Sequence, residues 1–189
     1  MGKKLGTNVR KGAIMSGRSS FGRARRAGFT LIEILIVVVL LGILAAMAIP
    51  QFSNATVEAK ENMLRENLRM LKAQIGTYQA QHWDVPPGYP DGDEAAAPSE
   101  DIFVAQLIQH TDENGAVSPV ATAQHRFGPY LREMPENPLN QLATVEVLAA
   151  GQPFPDADDS HGWMYSPSEM ILRADASGTD DRDVKYSDY

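Results

Sequence analysis

The chain contains no cysteine. Disulfides, a thiolate nucleophile and thiolate-bound zinc are therefore excluded. Histidine is scarce: His82, His110, His125 and His161 are scattered without metal-ligand spacing, and each reads as a surface or turn residue. No HExxH, P-loop or GxSxG segment is present, so the sequence gives no support for an enzyme. Acids are missing from residues 1–28, and bases are scarce after them. The second shortage disfavours nucleic-acid binding, which needs a basic surface for phosphate contacts.

The charge that is present is strongly asymmetric. Residues 1–28 hold eight basic residues: Lys3, Lys4, Arg10, Lys11, Arg18, Arg23, Arg25 and Arg26. The remainder holds nine basic and 24 acidic residues. In a chain that crosses a membrane, this places the basic end in the cytoplasm and the acidic part outside. The basic segment ends in the small residue Gly28, ahead of an apolar run over 29–49. An ordinary secretory signal is cut after its apolar region. A cut after Gly28 would instead leave the apolar helix on the mature chain. The alternative is an uncleaved signal anchor that tethers the rest.

Residues 29–49 would form about 31 Å of helix at about 1.5 Å per residue, enough to cross a hydrocarbon core about 30 Å thick. One acid, Glu33, lies inside this run. Burying it would cost up to roughly 2.5–3.5 kcal/mol on insertion scales, so it needs a partner or must snorkel to the head groups. Gly42 and Pro50 interrupt the run. Pro50 removes a backbone donor and crowds the turn at Ala46, so a kink is expected over 46–50.

Further along, Val57, Leu64, Leu68, Leu71, Ile75 and Tyr78 are spaced as one helical stripe. Glu58, Lys60, Glu61, Arg65, Glu66, Arg69 and Lys72 form a solvated face with i,i+4 pairs such as Glu61–Arg65. The helix is expected to end near 81–84, ahead of Pro86-Pro87-Gly88. Its stripe needs cover, which the rest of the chain should supply. That remainder predicts a short helix or turn over 102–109 anchored by Phe103, Leu107 and Ile108, then a loop or weak hairpin over 111–123. A strand over 143–148 and a hairpin pairing 162–165 with 170–174 follow. Trp163 and Tyr165 read as core and sheet residues rather than a ligand platform.

The stretch Gly28-Phe29-Thr30-Leu31-Ile32-Glu33 resembles the class III signal of type IV pilins and type II secretion pseudopilins, and the resemblance spans roughly 23–88. The family helix also tends to carry a proline where Pro50 stands. The resemblance implies cleavage between Gly28 and Phe29 by a prepilin peptidase, with methylation of the new Phe29 amine. That amine is largely cationic at neutral pH. Glu33 can pair with it within one subunit or in a neighbour, and in the family the second option sets subunit register.

The implied fold is α+β, a long N-terminal helix packed on a small antiparallel sheet. Its parts are a basic leader (1–28), a transmembrane and assembly helix (29–50), an amphipathic continuation (51–84) and a periplasmic head (85–189) with an acidic tail. The implied location is the inner membrane, single-pass, with assembly into a periplasmic or surface filament. The implied partners are further copies, minor pseudopilins, the prepilin peptidase and a platform protein driven by a cytoplasmic ATPase; no nucleic acid is expected. The leader is longer than those common in the family, which makes Met15 an alternative start.

Residues 127–139, Phe127-Gly128-Pro129-Tyr130-Leu131 through Pro135-Glu136-Asn137-Pro138-Leu139, resemble a segment of the major pseudopilin of type II secretion. This favours a pseudopilin in protein export. A type IV pilin for adhesion, motility or DNA uptake is the alternative, and a non-polymerising tethered binding domain is the alternative of another class. Without cysteine, the C-terminal disulfide loop of many type IV pilins cannot form. Major pseudopilins often bind calcium through an acidic C-terminal loop, which makes Asp175, Asp180, Asp181 and Asp183 weak calcium candidates. The family's repeated glycines and Asp-Pro-Trp element are absent here, with Asn137-Pro138-Leu139-Asn140 in the latter's place. A solvated acidic tail is the favoured reading, and no other cofactor is expected.

Overall fold

The computed structural model describes Gly2 and residues 28–189, with the backbone alone described at 48–54. The expected leader and the side chain of Pro50 therefore lie outside the described residues. Helix α1 spans Leu31–Gln81 and ends where the sequence pattern stops. The chain divides into two compact units, 1–46 and 47–189. The second unit adds helix α2 (Glu100–Ile108) and strands β1 (His110–Thr111), β2 (Val117–Ser118), β3 (Val145–Val147), β4 (Trp163–Ser166) and β5 (Ile171–Ala174). The architecture is α+β.

The α1 stripe organises the core of this unit. Leu64, Leu68, Leu71, Ile75 and Tyr78 are all buried, against Phe103 and Leu107 of α2 and Trp163, Tyr165 and Leu172 of the sheet. Each buried leucine contributes about 2 kcal/mol by area removed from water. Two positions differ from expectation, one on the stripe and one on the face read as solvated. Val57 is exposed, so the stripe begins at Leu64. Glu61 is buried rather than solvated, because the C-terminal segment folds over it and the Tyr186 hydroxyl donates to its carboxylate at 3.1 Å.

β1 and β2 pair antiparallel. In the second sheet, of order β3-β4-β5, β4 and β5 pair antiparallel as the hairpin pattern predicts. β3 and β4 run parallel, opposing Val145 to Trp163, so the sheet is mixed rather than antiparallel. Parallel strands need a crossover connection, and residues 148–162 supply it. β4 is central and all four of its residues are buried. Trp163 and Tyr165 face the core, opposite Ala174 and Leu172 on β5.

Polar side chains fasten the loops to this frame. Ser99 caps α2 by accepting from the Ile102 N–H at 3.4 Å, and Glu100 accepts from the Val145 N–H at 2.8 Å, tying α2 to β3. Buried Gln106 accepts from the Gly88 N–H and donates to the carbonyls of Tyr89 and Gly115. Buried Asn137 donates to the Gly162 carbonyl at 2.9 Å, and Asn140 donates to the carbonyls of His161 and Asp175. In the 127–139 segment, the Tyr130 and Leu131 N–H groups both donate to the Leu107 carbonyl at 2.9 Å. The Tyr130 hydroxyl donates to Gln81 at 2.8 Å, joining the ends of the two helices.

His82, expected at the surface or in a turn, is 2% exposed. Its ring stacks on Tyr78 with centroids 3.8 Å apart. Nδ1 lies 2.7 Å from the Tyr78 carbonyl, which can only accept, so Nδ1 carries the proton; Nε2 lies 2.9 Å from the Thr111 hydroxyl. Burial pushes the His82 pKa down, against smaller opposing contributions from backbone hydrogen bonding and Asp112. The next residue, Trp83, is 76% exposed, and it and Asp84 take left-handed backbone angles that terminate α1.

Two consequences are measurable. An added Cβ at Gly162 would run into the Leu142 carbonyl, a backbone atom that cannot swing away. Gly162→Ala is expected to destabilise a fragment carrying residues 55–189 by about 3 kcal/mol in urea unfolding, the upper part of the usual overpacking range. For His82, the unfolded chain takes up its proton near pH 6.5, whereas the folded chain resists it. Stability is therefore fully present above that value and declines as the pH falls below it, by at most about 1.4 kcal/mol per pH unit. His82→Phe is expected to flatten this slope between pH 7 and 5 in the same assay.

Candidate processing and assembly site

The first unit holds the residues singled out for processing and assembly. Gly28, Phe29 and Thr30 precede α1 and are exposed, so the Gly28–Phe29 bond lies outside regular structure. Thr30 caps the helix: its Oγ1 accepts from the Glu33 N–H at 3.2 Å, and its carbonyl accepts from the Ile34 N–H at 3.3 Å. Thr30-Leu31-Ile32-Glu33 has the spacing of a capping box, a signal legible in the sequence that assigns Thr30 a role beside its neighbours. Glu33 stands in the first turn, where an acid complements the partial positive charge of the helix N-terminus.

The surface that follows is apolar all round. Every large apolar side chain from Leu31 to Met47 is at least about half exposed, with Leu31 at 85% and the least exposed, Val37, at 46%. Glu33 is the one charged side chain among residues 28–47. A helix apolar on every face is stable only when lipid or other protein covers it. Among the described residues no helix is long and apolar enough to cross a membrane. The side chains described in the expected 29–50 span stop at Met47, which leaves about 25 Å of apolar helix from Leu31. The helix backbone runs through Gly42 and Pro50 without a break. At Gly42 an added Cβ would meet nothing within 4 Å. The kink expected over 46–50 lies largely outside the described side chains.

The four acidic candidates near the C-terminus are not brought together. Asp175 is buried and accepts from the N–H groups of Asp158 (2.8 Å), Asp159 (3.2 Å) and His161 (2.7 Å), and from the Ser160 hydroxyl. Asp180 is buried elsewhere. It accepts from the N–H groups of Arg182 and Val184, from the Arg182 guanidinium at 2.8 Å and from the Tyr189 hydroxyl at 2.9 Å. Burial alone would push the Asp180 carboxyl up; the hydrogen bonds from Arg182, Val184 and Tyr189 outweigh it and hold the group well below the usual carboxylate range. Asp181 and Asp183 are exposed. The reading of a solvated tail thus fails for Asp175 and Asp180, whose oxygens are occupied by internal donors. Among the described residues no group of three or more potential ligands is placed to hold a metal ion.

Residues 23–49 match the family described as the prokaryotic N-terminal methylation motif, of which 23–27 lie outside the described residues. The chain is pilin-like. This pilin-like chain is 38% identical over 64 residues to type II secretion system core protein G of Pseudomonas aeruginosa, covering 34% of this chain and 45% of that protein. It is 32% identical over 120 residues to the type IV major pilin protein PilE1 of Neisseria gonorrhoeae, covering 64% of this chain and 53% of PilE1. It is also 24% identical over 148 residues to type II secretion system core protein G of Dickeya chrysanthemi, covering 73% of this chain and 86% of that protein. The chain thus spans about half the length of the first two of these relatives. No solved structure gives a significant match. The α+β fold, with its helix packed on a small sheet, is consistent with the pilin fold.

The occupied carboxylates make a direct prediction for the pilin-like head. Asp175→Ala removes the acceptor of three part-buried N–H donors and is expected to cost about 2 kcal/mol of stability, the scale of hydrogen bonds to a charged group. Millimolar calcium is expected to leave the melting temperature of the unmodified head unchanged, because the lone pairs of Asp175 and Asp180 already accept hydrogen bonds. Thermal melts with and without calcium check both.

Proposed function

We propose that the chain is a structural subunit of a pilus-like filament, and specifically a type II secretion pseudopilin acting in protein export across the outer membrane. One observation carries this reading. The helix following the Gly28–Phe29 bond is apolar on every face except for Glu33, and a single copy leaves that surface uncovered. Lipid covers it before assembly, and the helices of other copies cover it afterwards.

In this reading a prepilin peptidase on the cytoplasmic side cuts after Gly28 and methylates Phe29. Thr30 begins the helix at once, so the new amine and Glu33 lie within one turn of each other. In a low-dielectric surrounding the attraction between a carboxylate and an amine is several times stronger than in water. A neighbour's Phe29 amine reaching Glu33 would fix the axial register of adjacent subunits. A platform protein with its ATPase would move subunits from the inner membrane into the filament, alongside minor pseudopilins, with the acidic heads outside. The role is mechanical, and no catalytic residue is assigned.

The similarity to PilE1 over 120 residues supports a second reading, a type IV pilin for adhesion, motility or DNA uptake. Filaments confined to the periplasm favour the secretion reading, and filaments extending from the cell favour the pilus.

Intact mass and N-terminal sequencing of the protein from membranes of its host test the processing. The expected chain begins at a methylated Phe29. A chain retaining residues 1–28 would sink the filament reading and leave a tethered domain. Glu33→Leu is expected to insert into membranes normally and to reduce assembled filaments at least tenfold, counted by electron microscopy.

A further inference from the structure

Asn114 is the chain's one asparagine followed by glycine. The pair matters because the backbone nitrogen of the next residue can attack an asparagine side chain, and glycine, lacking a Cβ, hinders that approach least. The other asparagines are followed by Val9, Ala55, Met63, Leu68, Pro138 and Gln141. Each is bulkier than glycine, and proline has no N–H to give up. The structure separates Asn114 a second time. The Asn62 side chain accepts from Arg65, Asn67 donates to the Glu136 carbonyl, and Asn137 and Asn140 both donate and accept. Asn114 is exposed, and its side-chain amide has no hydrogen-bond partner among the described residues.

The fold holds this pair in the turn between β1 and β2. The Asp112 carboxylate accepts from the Asn114 and Ala116 N–H groups at 2.8 and 3.0 Å, and the Asp112 carbonyl accepts from the Gly115 N–H at 3.2 Å. That last bond is the one the Gly115 nitrogen must release to react. The flanking strands have two residues each, so opening the turn costs little. Glycine is obligatory at 115. Its φ is +84, and a Cβ there would collide with the Tyr78 hydroxyl and come within 2.9 Å of the Gln106 amide nitrogen. The close packing of this turn against α1 and α2 thus demands the very residue that leaves the Asn114 amide open to attack.

We propose that Asn114 is a site of spontaneous deamidation, and that its isoaspartyl product releases the anchor made by Gln106. The Gly115 backbone nitrogen loses its proton to solvent and bonds to Asn114 Cγ. The side-chain nitrogen leaves as ammonia, and a five-membered succinimide remains. Water then opens the ring at either carbonyl. Opening at Cγ gives aspartate in an unchanged main chain. Opening at the former backbone carbonyl gives isoaspartate, whose main chain runs through Cβ and Cγ and is one carbon longer. Water enters and ammonia departs, with no oxidation or reduction. Gln106 donates to the Gly115 and Tyr89 carbonyls and accepts from the Gly88 N–H, so it joins the turn, α2 and the 88–89 segment at one point. The Asn114 carbonyl also packs on Gly92, where a Cβ would come within 2.8 Å. In isoaspartate that carbonyl becomes a free carboxylate beside Asp112 and Glu113, and the longer main chain shifts Gly115 away from Gln106. This chemistry is independent of what the chain assembles into.

The full-length chain in detergent is aged in warm, mildly alkaline buffer, and peptide mapping by mass spectrometry reads amide-to-acid conversion at each asparagine. Asn114 is expected to convert at least tenfold faster than Asn62, Asn67, Asn137 or Asn140, with isoaspartate exceeding aspartate. A rate no faster than theirs overturns the site. So does a rate more than a hundredfold below that of the same chain in urea, because the turn would then protect the amide. Conversion to aspartate alone overturns the succinimide route. Melting followed by near-ultraviolet circular dichroism tests the consequence. The aged chain is expected to melt about 5 °C lower, the scale of one lost hydrogen-bonding anchor in a domain of this size. Aged Asn114→Gln, whose longer side chain closes the ring far more slowly, is expected to melt as the fresh chain does. Fresh Asn114→Asp, which adds the charge without the extra carbon, is expected to do the same. An isoaspartyl chain with an unchanged melting temperature overturns the release of Gln106.

Discussion

Covering the apolar face of α1 is the constraint on which the second unit depends. Leu64, Leu68 and Leu71 are almost fully buried, although among the described residues the helix that carries them has no partner helix of similar length. The cover is assembled from short pieces: nine residues of α2 and strands of two to four residues. Such strands would not be stable alone. They hold because each lays a large side chain on the helix, Phe103 from α2 and Trp163 and Tyr165 from β4. The polar links from Gln106, Asn137 and Asn140 then tie the connecting loops to backbone atoms of that frame.

The same physical problem recurs in the first unit with the opposite outcome. There the apolar surface goes all round the helix and is left open within one chain. A one-sided stripe can be satisfied by a chain folding back on itself. A surface apolar on all sides can be satisfied only by surroundings, first lipid and then neighbours. The pilin-like chain carries both solutions on one helix, and the amphipathic one keeps the head folded whether or not the other has been met.

Much of this was legible in the sequence where the signal is local. The stripe from Leu64 to Tyr78, the end of α1, the short α2 and the β4–β5 hairpin follow from periodicity and turn residues over a few positions. The Gly28–Glu33 motif is equally local. What escaped is set by distant parts of the chain. The parallel pairing of β3 with β4 is decided by the path of residues 148–162, which no periodicity encodes. His82, Gln106, Asn137 and Asp175 look polar and therefore exposed. Each is buried because its partners are groups from remote segments. The C-terminal acids show the rule most clearly: their sequence reads as charge to be solvated, while the fold answers Asp175 and Asp180 with N–H and O–H donors. The bonds from Tyr186 to Glu61 and from Arg65 and Lys72 to Tyr189 then hold the C-terminal segment against α1 in a chain that has no disulfide to do so.

The two tryptophans occupy opposite extremes. Trp163 is fully buried, with its indole N–H donating to the Pro135 carbonyl at 2.9 Å, while Trp83 stands open to solvent just past the end of α1. The protein thus contains two intrinsic fluorophores with separable emission, one blue-shifted and shielded from acrylamide, the other red-shifted and freely quenched. The first reports whether the core is intact and the second whether that end of the head has acquired a neighbour, so folding and association can be followed in one unlabelled sample.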